Sequence, residues 1–253
     1  MVSDPADPGH RRESPVGRST PPAARHLEVL PPAGDGLLVL LAGAAGCIDA
    51  LCYLRLGNVF TANMTGNAVL LGIATGQQVG ARALHSAVAL AGFVLGVLAG
   101  AELCGRHRGS QTGGWPLGVT LALGVELVLL GALAVGWALA GADPAGIAEY
   151  GLVGISALAM GLQSAAVRKL PVGGVATTYV TGTLTGLLAG LALGGTSRRV
   201  RLRQAGVVLA LVAGAVIGTA VLGVVGAVAA LIPVTLVAVV VAVALRARPA
   251  PQG

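Results

Sequence analysis

The polar residues best suited to bind a ligand lie in a motif that occurs twice along an otherwise apolar chain. Residues 59–67, VFTANMTGN, reappear as residues 175–183, VATTYVTGT, with Val, Thr and Thr-Gly at matching places. Carbonyl, hydroxyl and amide groups of this kind can replace part of the hydration shell of an ion or bind a small polar solute. The alternative is that they only satisfy backbone groups left free where a helix is interrupted. The predicted binding residues are Asn63, Thr65 and Asn67 in the first copy and Tyr179, Thr181 and Thr183 in the second.

A carboxylate stands in the apolar segment before the first motif. Asp49 lies deep in that segment, where a charged group is costly and therefore indicates a functional role facing the protein interior. Asp49 is a candidate substrate-binding residue and a candidate carrier of a proton or cation. The alternative is that it caps the following short segment by accepting from backbone N–H groups. Gln163 occupies the corresponding place before the second motif and can hydrogen-bond but cannot titrate.

A second acidic residue, Glu126, lies near the middle of a long apolar run. The neutral form of a carboxyl group is favoured there, so Glu126 is a candidate for proton coupling together with Asp49. The alternative is a neutral side chain that hydrogen-bonds to a neighbouring helix. No Lys or Arg lies within the apolar segments to pair with it.

The composition places these residues in a membrane protein. The chain is 55% apolar and 10% charged, whereas a soluble domain carries about 25% charged residues. Residues 205–245 contain no charged side chain, which is enough for two spans of about 20 residues each. The net charge of +6 does not indicate a nucleic-acid partner, because the basic residues lie in loops between apolar runs, where they set membrane orientation.

Hydropathy predicts an all-α polytopic fold with six long transmembrane helices and two shorter segments. The long segments cover residues 36–54, 83–104, 115–140, 147–167, 206–223 and 224–245, and the shorter ones cover 60–76 and 177–194. The first short segment, as a helix, would rise only about 25 Å, less than the ~30 Å hydrocarbon core. We therefore favour two re-entrant or broken segments over eight full spans. With re-entrant segments, only Arg55 and Arg82 lie outside, which obeys the positive-inside rule better.

The two halves of the chain match in order, which predicts an internal duplication with repeat one at about 36–140 and repeat two at about 147–245. Residues 1–34 form a predicted disordered cytoplasmic tail, residues 35–245 the membrane domain, and residues 246–253 a short cytoplasmic tail. Each half also carries a GxxxG pair, at Gly92 and Gly96 and at Gly214 and Gly218. Such pairs let another backbone approach closely, as a moving interface, a homo-oligomer contact or simple static packing.

Neither an enzyme nor a cofactor is indicated by the residues. The chain contains no HExxH, no P-loop and no dinucleotide-binding glycine fingerprint. Its three cysteines, Cys47, Cys52 and Cys104, have no metal-ligand spacing, so no metal is expected. The expected partners are a small polar solute or ion and membrane lipid.

The motifs resemble the two signatures of the YoaK family, a widespread set of bacterial inner-membrane proteins of unassigned function. The first likeness covers residues 46–54, 57–60, 63–67 and 71–72, and the second covers 161–163, 168, 177–179 and 181–183. The resemblance extends over roughly residues 36–245 and implies a multi-span membrane protein without supplying a substrate. Ser164 departs from the amide residue that the resemblance leads one to expect at that place.

These observations predict a secondary transporter or channel for a small polar or ionic solute, with its site between the two polar segments and alternating access between the halves. The alternative is a non-transporting membrane scaffold, or a partner- or lipid-binding subunit. The expected location is the bacterial plasma membrane, with both termini cytoplasmic.

Overall fold

The computed structural model describes residues 32–107, 116–141, 143–170 and 180–246. This part of the chain contains helices and no strand, which confirms the predicted all-α class. A short 3-10 turn, Gly226–Val228, connects the last two helices. The α-helices are α1 Pro32–Arg55, α2 Met64–Gly76, α3 Gly80–Arg106, α4 Leu117–Leu139, α5 Ile147–Arg168, α6 Val180–Ala192, α7 Arg198–Val224 and α8 Leu231–Arg246.

Six of the helical segments are long and apolar enough to cross a membrane, which confirms the six long spans. The two others, α2 and α6, contain 13 residues each. At about 1.5 Å per residue each rises about 20 Å, which is too short for the ~30 Å hydrocarbon core. The described helices therefore fit six spans with two short helices between them better than eight spans.

The predicted boundaries differ from the structure by up to eight residues (206 − 198 at the start of α7), and the starts of α1 and α7 show why. Helix α1 already begins at Pro32, a residue type suited to a helix start, so the last residues assigned to the N-terminal tail are helical. Helix α7 begins at Arg198 rather than at residue 206. The Oγ of Ser197 accepts from the backbone N–H of Val200 at 3.3 Å and caps this start. The tails at residues 1–31 and 247–253 lie outside the described residues.

The two ends of the bundle are marked by charged residues at the ends of α1. At one end, the Asp35 end, the Asp35 carboxylate contacts Arg199 near the start of α7 at 2.7 Å. At the other, the Arg55 end, Arg55 lies 3.4 Å from Asp143, just before α5. Helices α1 and α7 therefore run in parallel from the Asp35 end, whereas α5 starts at the Arg55 end.

Helix α3 runs in parallel with α5, from the Arg55 end towards the Asp35 end. Near their starts, His85 Nε2 of α3 lies 3.3 Å from Glu149 of α5. Helix α4 returns to the Arg55 end, where Trp137 Nε1 donates to Gly226 O at 2.8 Å. Helix α8 then runs back towards the Asp35 end, where it stops at Arg246.

Glycines hold α3 close against α5. A Cβ atom added at Gly92 would lie 2.8 Å from Gly154 O, and one added at Gly96 would collide with Leu158 O. A Cβ at Gly100 would lie 2.9 Å from Ala165 Cβ. The backbones of the two helices therefore touch along three turns of α3, as glycines spaced by four allow.

The same kind of contact joins α7 to α1. A Cβ atom added at Gly214 would collide with Gly43 O, and one added at Gly218 would lie 2.7 Å from Cys47 Sγ. Both GxxxG pairs are thus buried inside the chain itself. An oligomer of this protein would need a different surface.

The short helices both begin inside the bundle. Helix α2 starts next to Asp49, and its end lies at the Arg55 end, where Gln77 lines a small cavity with Gly57 and Arg82. Helix α6 starts near Thr219 of α7 and runs towards the Asp35 end, where its Gly190 packs against Thr196. Each short helix therefore starts inside the bundle and runs back towards the end of the bundle at which the preceding long helix stopped.

Candidate functional site

A cavity of about 410 Å³ lies where the first polar segment meets the start of α6. Side chains from α1, the loop before α2, α2 itself, α6 and α7 surround it. Both copies of the repeated motif therefore contribute to one cavity. The lining residues are Gly46, Asp49, Ala50, Tyr53, Leu54, Phe60, Asn63, Thr65, Val180, Thr181, Leu211, Ala215 and Thr219.

Asp49 is the single charged residue among these lining residues, and it is also a backbone cap. Its Oδ1 accepts from the backbone N–H groups of Thr61 and Ala62, each at 2.7 Å, and from Thr61 Oγ1 at 3.4 Å. A backbone N–H group of Asn63 also points to this carboxyl. Asp49 thus holds the loop that leads into α2 and faces the cavity at the same time, so the capping alternative and a ligand role coexist in the geometry.

Asn67 fixes the same loop from its other side. The backbone N–H of Phe60 donates to Asn67 Oδ1 at 2.9 Å, and Asn67 Nδ2 donates back to Phe60 O. The side chain is fully buried and does not line the cavity. The structure therefore gives Asn67 a supporting position, since a buried loop must satisfy its backbone polar groups.

Asn63 and Thr65 lie at the start of α2 and face the cavity. Asn63 occupies the N-cap position, but its side chain makes no capping hydrogen bond to α2. Both residues are exposed. Their amide and hydroxyl groups can therefore turn to a bound solute without breaking a contact that the helix needs.

The second copy of the motif enters the site only in part. Thr181 lines the cavity, whereas Thr183 is buried against the protein with 1% exposure. Tyr179 lies outside the described residues. Gln163 lies away from the lining residues, in the helix interface, where its Nε2 donates to Leu41 O at 3.2 Å. Leu41 lies about 12 Å from Asp49 along α1 at 1.5 Å per residue, so Asp49 and Gln163 sit at different depths.

Glu126 is fully buried in α4 and is not among the residues that line the cavity. Neither of its carboxyl oxygens has a hydrogen-bond partner among the described residues. An ionised carboxylate without a partner is very costly in such surroundings, so the neutral form is the one that fits. Its predicted coupling to the solute would have to act through other residues, since it does not contact the site directly.

Sequence reasoning missed one wall of the cavity. Leu211, Ala215 and Thr219 of α7 complete it. Their spacing of four residues places them on one helix face, and Thr219 is a hydroxyl in an apolar span, which is the signal that could have been used. The rings of Tyr53 and Phe60, also unpredicted, stack at 5.0 Å with an angle of 15° and form an aromatic side of the site.

No group of three or more His, Cys, Asp or Glu residues that could hold a metal ion occurs in the described part of the chain. The three cysteines are free and buried. The side chains that line the cavity comprise one carboxylate, one amide and several hydroxyl groups, together with aromatic rings and aliphatic groups. That set suits binding of a small solute by charge and hydrogen bonds.

Comparisons with known proteins agree with the membrane architecture and stop short of an activity. A family model described as "Protein of unknown function (DUF1275)" matches residues 37–243. The "UPF0700 transmembrane protein YoaK" of Bacillus subtilis (strain 168) is 39% identical over 152 residues, which is 60% of this chain. The match spans 64% of that relative's length. No solved structure matches the chain significantly.

Proposed function

The chain belongs to the family described as protein of unknown function (DUF1275), and within that family we propose that it is a secondary transporter or channel for a small polar or ionic solute. The observation that carries the proposal is the cavity between α1, α2, α6 and α7, to which both polar segments contribute. Discontinuous helices that begin next to a shared cavity are typical of transporter binding sites. The proposal involves no catalysis and no cofactor.

The charge of the cavity supports a cationic species as the solute or as the coupling ion. Asp49 carries the one formal charge among the lining residues, and its partners are neutral backbone and hydroxyl groups. A monovalent cation, a protonated amine or a proton would neutralise it. Asn63, Thr65 and Thr181 would then supply hydrogen bonds to the remainder of the solute.

The directions of the helices support an internal duplication and a mechanism of alternating access. Helix α1 runs from the Asp35 end and its counterpart α5 runs from the Arg55 end, and α3 and α7 are opposed in the same way. The glycine contact of α3 with α5 has its counterpart in that of α7 with α1. Halves of opposite direction around one site allow the cavity to open first to one side and then to the other.

The Asp35 end is the proposed cytoplasmic end, in a bacterial plasma membrane. At the Arg55 end the described basic residues are Arg55 and Arg82, close to where α1 stops and α3 starts. Far more lie at the opposite end, which the positive-inside rule assigns to the cytoplasm. Those residues are Arg106, Arg168, Lys169, Arg198, Arg199, Arg201, Arg203 and Arg246.

Access to the cavity from both sides tests the proposal without knowledge of the solute. Thr65→Cys and Thr181→Cys, made in a background in which the three native cysteines are replaced by alanine, would be labelled with a membrane-impermeant maleimide. Labelling would be compared between right-side-out and inside-out vesicles. A permeation pathway predicts that each cysteine reacts in both vesicle orientations.

The matched control is Val128→Cys, on an exposed position of the spanning helix α4. The side chain at that position faces the lipid, so the cysteine should not react with the maleimide in either vesicle orientation. Labelling of Thr65→Cys and Thr181→Cys from one side only, under all conditions, would argue against transport. It would favour the second candidate, a non-transporting scaffold or lipid-binding subunit.

A further inference from the structure

The size of the cavity around Asp49 separates two classes of cation. Its volume is about 410 Å³. A water molecule takes up about 30 Å³ in the liquid, and pockets for small organic ligands begin at about 300 Å³. A bare inorganic cation would therefore leave most of the space unfilled, whereas a small organic molecule fits it.

The Asp49 carboxylate is the charged group that an organic cation would meet. The hydrogen bonds from Thr61 and Ala62 all go to Oδ1, so Oδ2 receives none of them. Backbone N–H donors of this kind stabilise an ionised carboxylate. No Lys, Arg or His is among the described lining residues, so the carboxylate has no basic partner there. A ligand with a positive charge would supply that partner.

Two aromatic rings lie beside this carboxylate. Tyr53 follows Asp49 by four residues on α1, which places both side chains on one helix face. Phe60 directly precedes Thr61, whose N–H donates to Asp49. The two rings stack at 5.0 Å between their centroids, and both line the cavity. Aromatic faces attract an ammonium group, whereas an inorganic cation needs oxygen atoms that replace its hydration shell.

Helix α7 provides a wall for the remainder of the ligand. Gly218 packs against α1 two residues before Asp49 (49 − 47), and the two helices run in parallel, so Thr219 lies at about the depth of that carboxylate. Ala215 and Leu211 lie on the same face, about 6 Å and 12 Å farther towards the Asp35 end. The wall is thus polar next to the carboxylate and apolar away from it.

We propose that the cavity binds a protonated organic amine rather than an inorganic cation. The ammonium group lies between Asp49 and the stacked rings of Tyr53 and Phe60. The apolar body of the amine lies along Leu211 and Ala215 of α7. The amine would be the solute of the proposed transporter, on which this step rests, but its binding can be measured without transport.

Binding can be measured by isothermal titration calorimetry of the purified full-length protein in detergent and an amine-free buffer. The probes are phenethylammonium and butylammonium chloride. Sodium chloride, potassium chloride and the neutral phenethyl alcohol are compared at equal ionic strength. We expect saturable binding of both amines at one site and of none of the other three. The proposal is overturned if neither amine binds, or if sodium, potassium or the alcohol binds as tightly as the amines.

Tyr53 offers a pair of variants that separates the ring from its hydroxyl, at a position that is 40% exposed. Tyr53→Phe should bind phenethylammonium as the unchanged protein does. Tyr53→Leu should bind it about three-fold more weakly, because a cation–π contact is lost. Asp49→Asn should weaken binding about ten-fold or more, because the hydrogen bond to a charged group is lost. Equal affinity of the two Tyr53 variants would overturn the placement of the ammonium group beside the rings.

A change in size tests the apolar wall. Ala215→Leu should fill the space along α7 and weaken binding of phenethylammonium more than that of the slimmer butylammonium. The matched control is Ala213→Leu, at an exposed position of the same helix that is not among the lining residues, and it should bind both amines as the unchanged protein does. Equal amine binding by the two variants would contradict a body that lies along this wall.

Failure of the amine site and failure of transport can be told apart. Amine binding together with one-sided labelling of Thr65→Cys and Thr181→Cys would reject transport and keep the amine site. Labelling from both sides without amine binding would keep the proposed transporter and reject the amine as its solute.

Discussion

The two polar motifs match in part of their sequence, but the described residues at matching places make different contacts. Before α2, the loop is tied down by Asp49 from one side and by Asn67 from the other. In the second half, Gln163 occupies the position that matches Asp49 in the sequence, and its Nε2 donates to Leu41 O of α1. Thr183 occupies the position that matches Asn67. The glycine contacts between long helices are alike in both halves. The comparison teaches that the packing of the helices is shared, whereas the charge belongs to one half.

The largest expected effect comes from substitutions that disrupt the close glycine contacts between long helices, which both halves share. Gly96→Ala and Gly214→Ala each place a Cβ against a backbone carbonyl oxygen of the partner helix, which cannot move without shifting that helix. Each should destabilise the fold by about 3 kcal/mol or more, since overpacking of a rigid contact is costly. Thermal unfolding of the purified protein in detergent measures this.

Gly72→Ala is the control, because a Cβ at Gly72 meets nothing within 4 Å. It should leave the unfolding temperature unchanged or raise it, as alanine favours a helix over glycine. Should Gly96→Ala or Gly214→Ala behave like Gly72→Ala, the close contact of the long helices would be wrong in that half.

The next effect separates the two roles of Asp49. Asp49→Ala leaves the N–H groups of Thr61 and Ala62 without their acceptor and should cost about 2–3 kcal/mol of unfolding free energy. Asp49→Asn keeps an acceptor oxygen and should preserve most of the stability while removing the charge. If Asp49 binds the transported or coupling cation, solute-dependent activity in proteoliposomes is lost in Asp49→Asn. Full activity in a stable Asp49→Asn protein would leave Asp49 with the capping role alone.

A smaller effect tests the hydrogen bonds by which Asn67 holds the loop before α2. Asn67→Thr introduces the residue that the second copy carries and removes the paired hydrogen bonds with Phe60. We expect a loss of about 1–2 kcal/mol in unfolding free energy. Thr65→Ala, at an exposed cavity-lining position, should change stability by less than about 0.5 kcal/mol. Equal stability of the two variants would show that Asn67 does not hold the loop.

The smallest effect concerns Glu126, which has no acidic counterpart in α8. Because its carboxyl oxygens have no described partner, Glu126→Gln should change the unfolding free energy by less than about 1 kcal/mol. The measurement is chemical or thermal unfolding beside the unchanged protein. A loss of about 3 kcal/mol would reveal that the carboxyl makes an interaction the amide cannot replace. Unchanged stability with lost activity would assign Glu126 to proton coupling.

Much of the architecture could be predicted because hydropathy and length are local properties. Residues 205–245 lack charge, and the structure places α7, the turn at Gly226–Val228 and α8 there. The start of α7 was missed by eight residues (206 − 198), about two turns, because its arginines resemble a loop until Asp35 is seen to pair with Arg199 and Ser197 is seen to cap the helix. Of the predicted site residues, Asp49, Asn63, Thr65 and Thr181 line the cavity, where polar residues interrupt apolar runs.

The remaining site residues depend on contacts between distant parts of the chain. Leu211 and Ala215 could not be assigned to the cavity from the sequence, since apolar side chains do not show which face of an apolar helix meets a ligand, and the hydroxyl of Thr219 is the one signal on that face. Gln163 and Asn67 have the residue types of a binding site, but the first bonds to Leu41 and the second to Phe60. A polar side chain reveals its role only when its partner is known.

By itself, the amino-acid order determined that this chain is a helical membrane protein with six long apolar segments and two shorter polar ones, because the bilayer imposes length and polarity on each segment separately. The tertiary structure decided that the start of α6 and Asp49 line one cavity, and that α1 pairs with α7 and α3 with α5. Those choices follow from which glycines let which backbones touch, and such complementarity between surfaces exists only once the helices are packed.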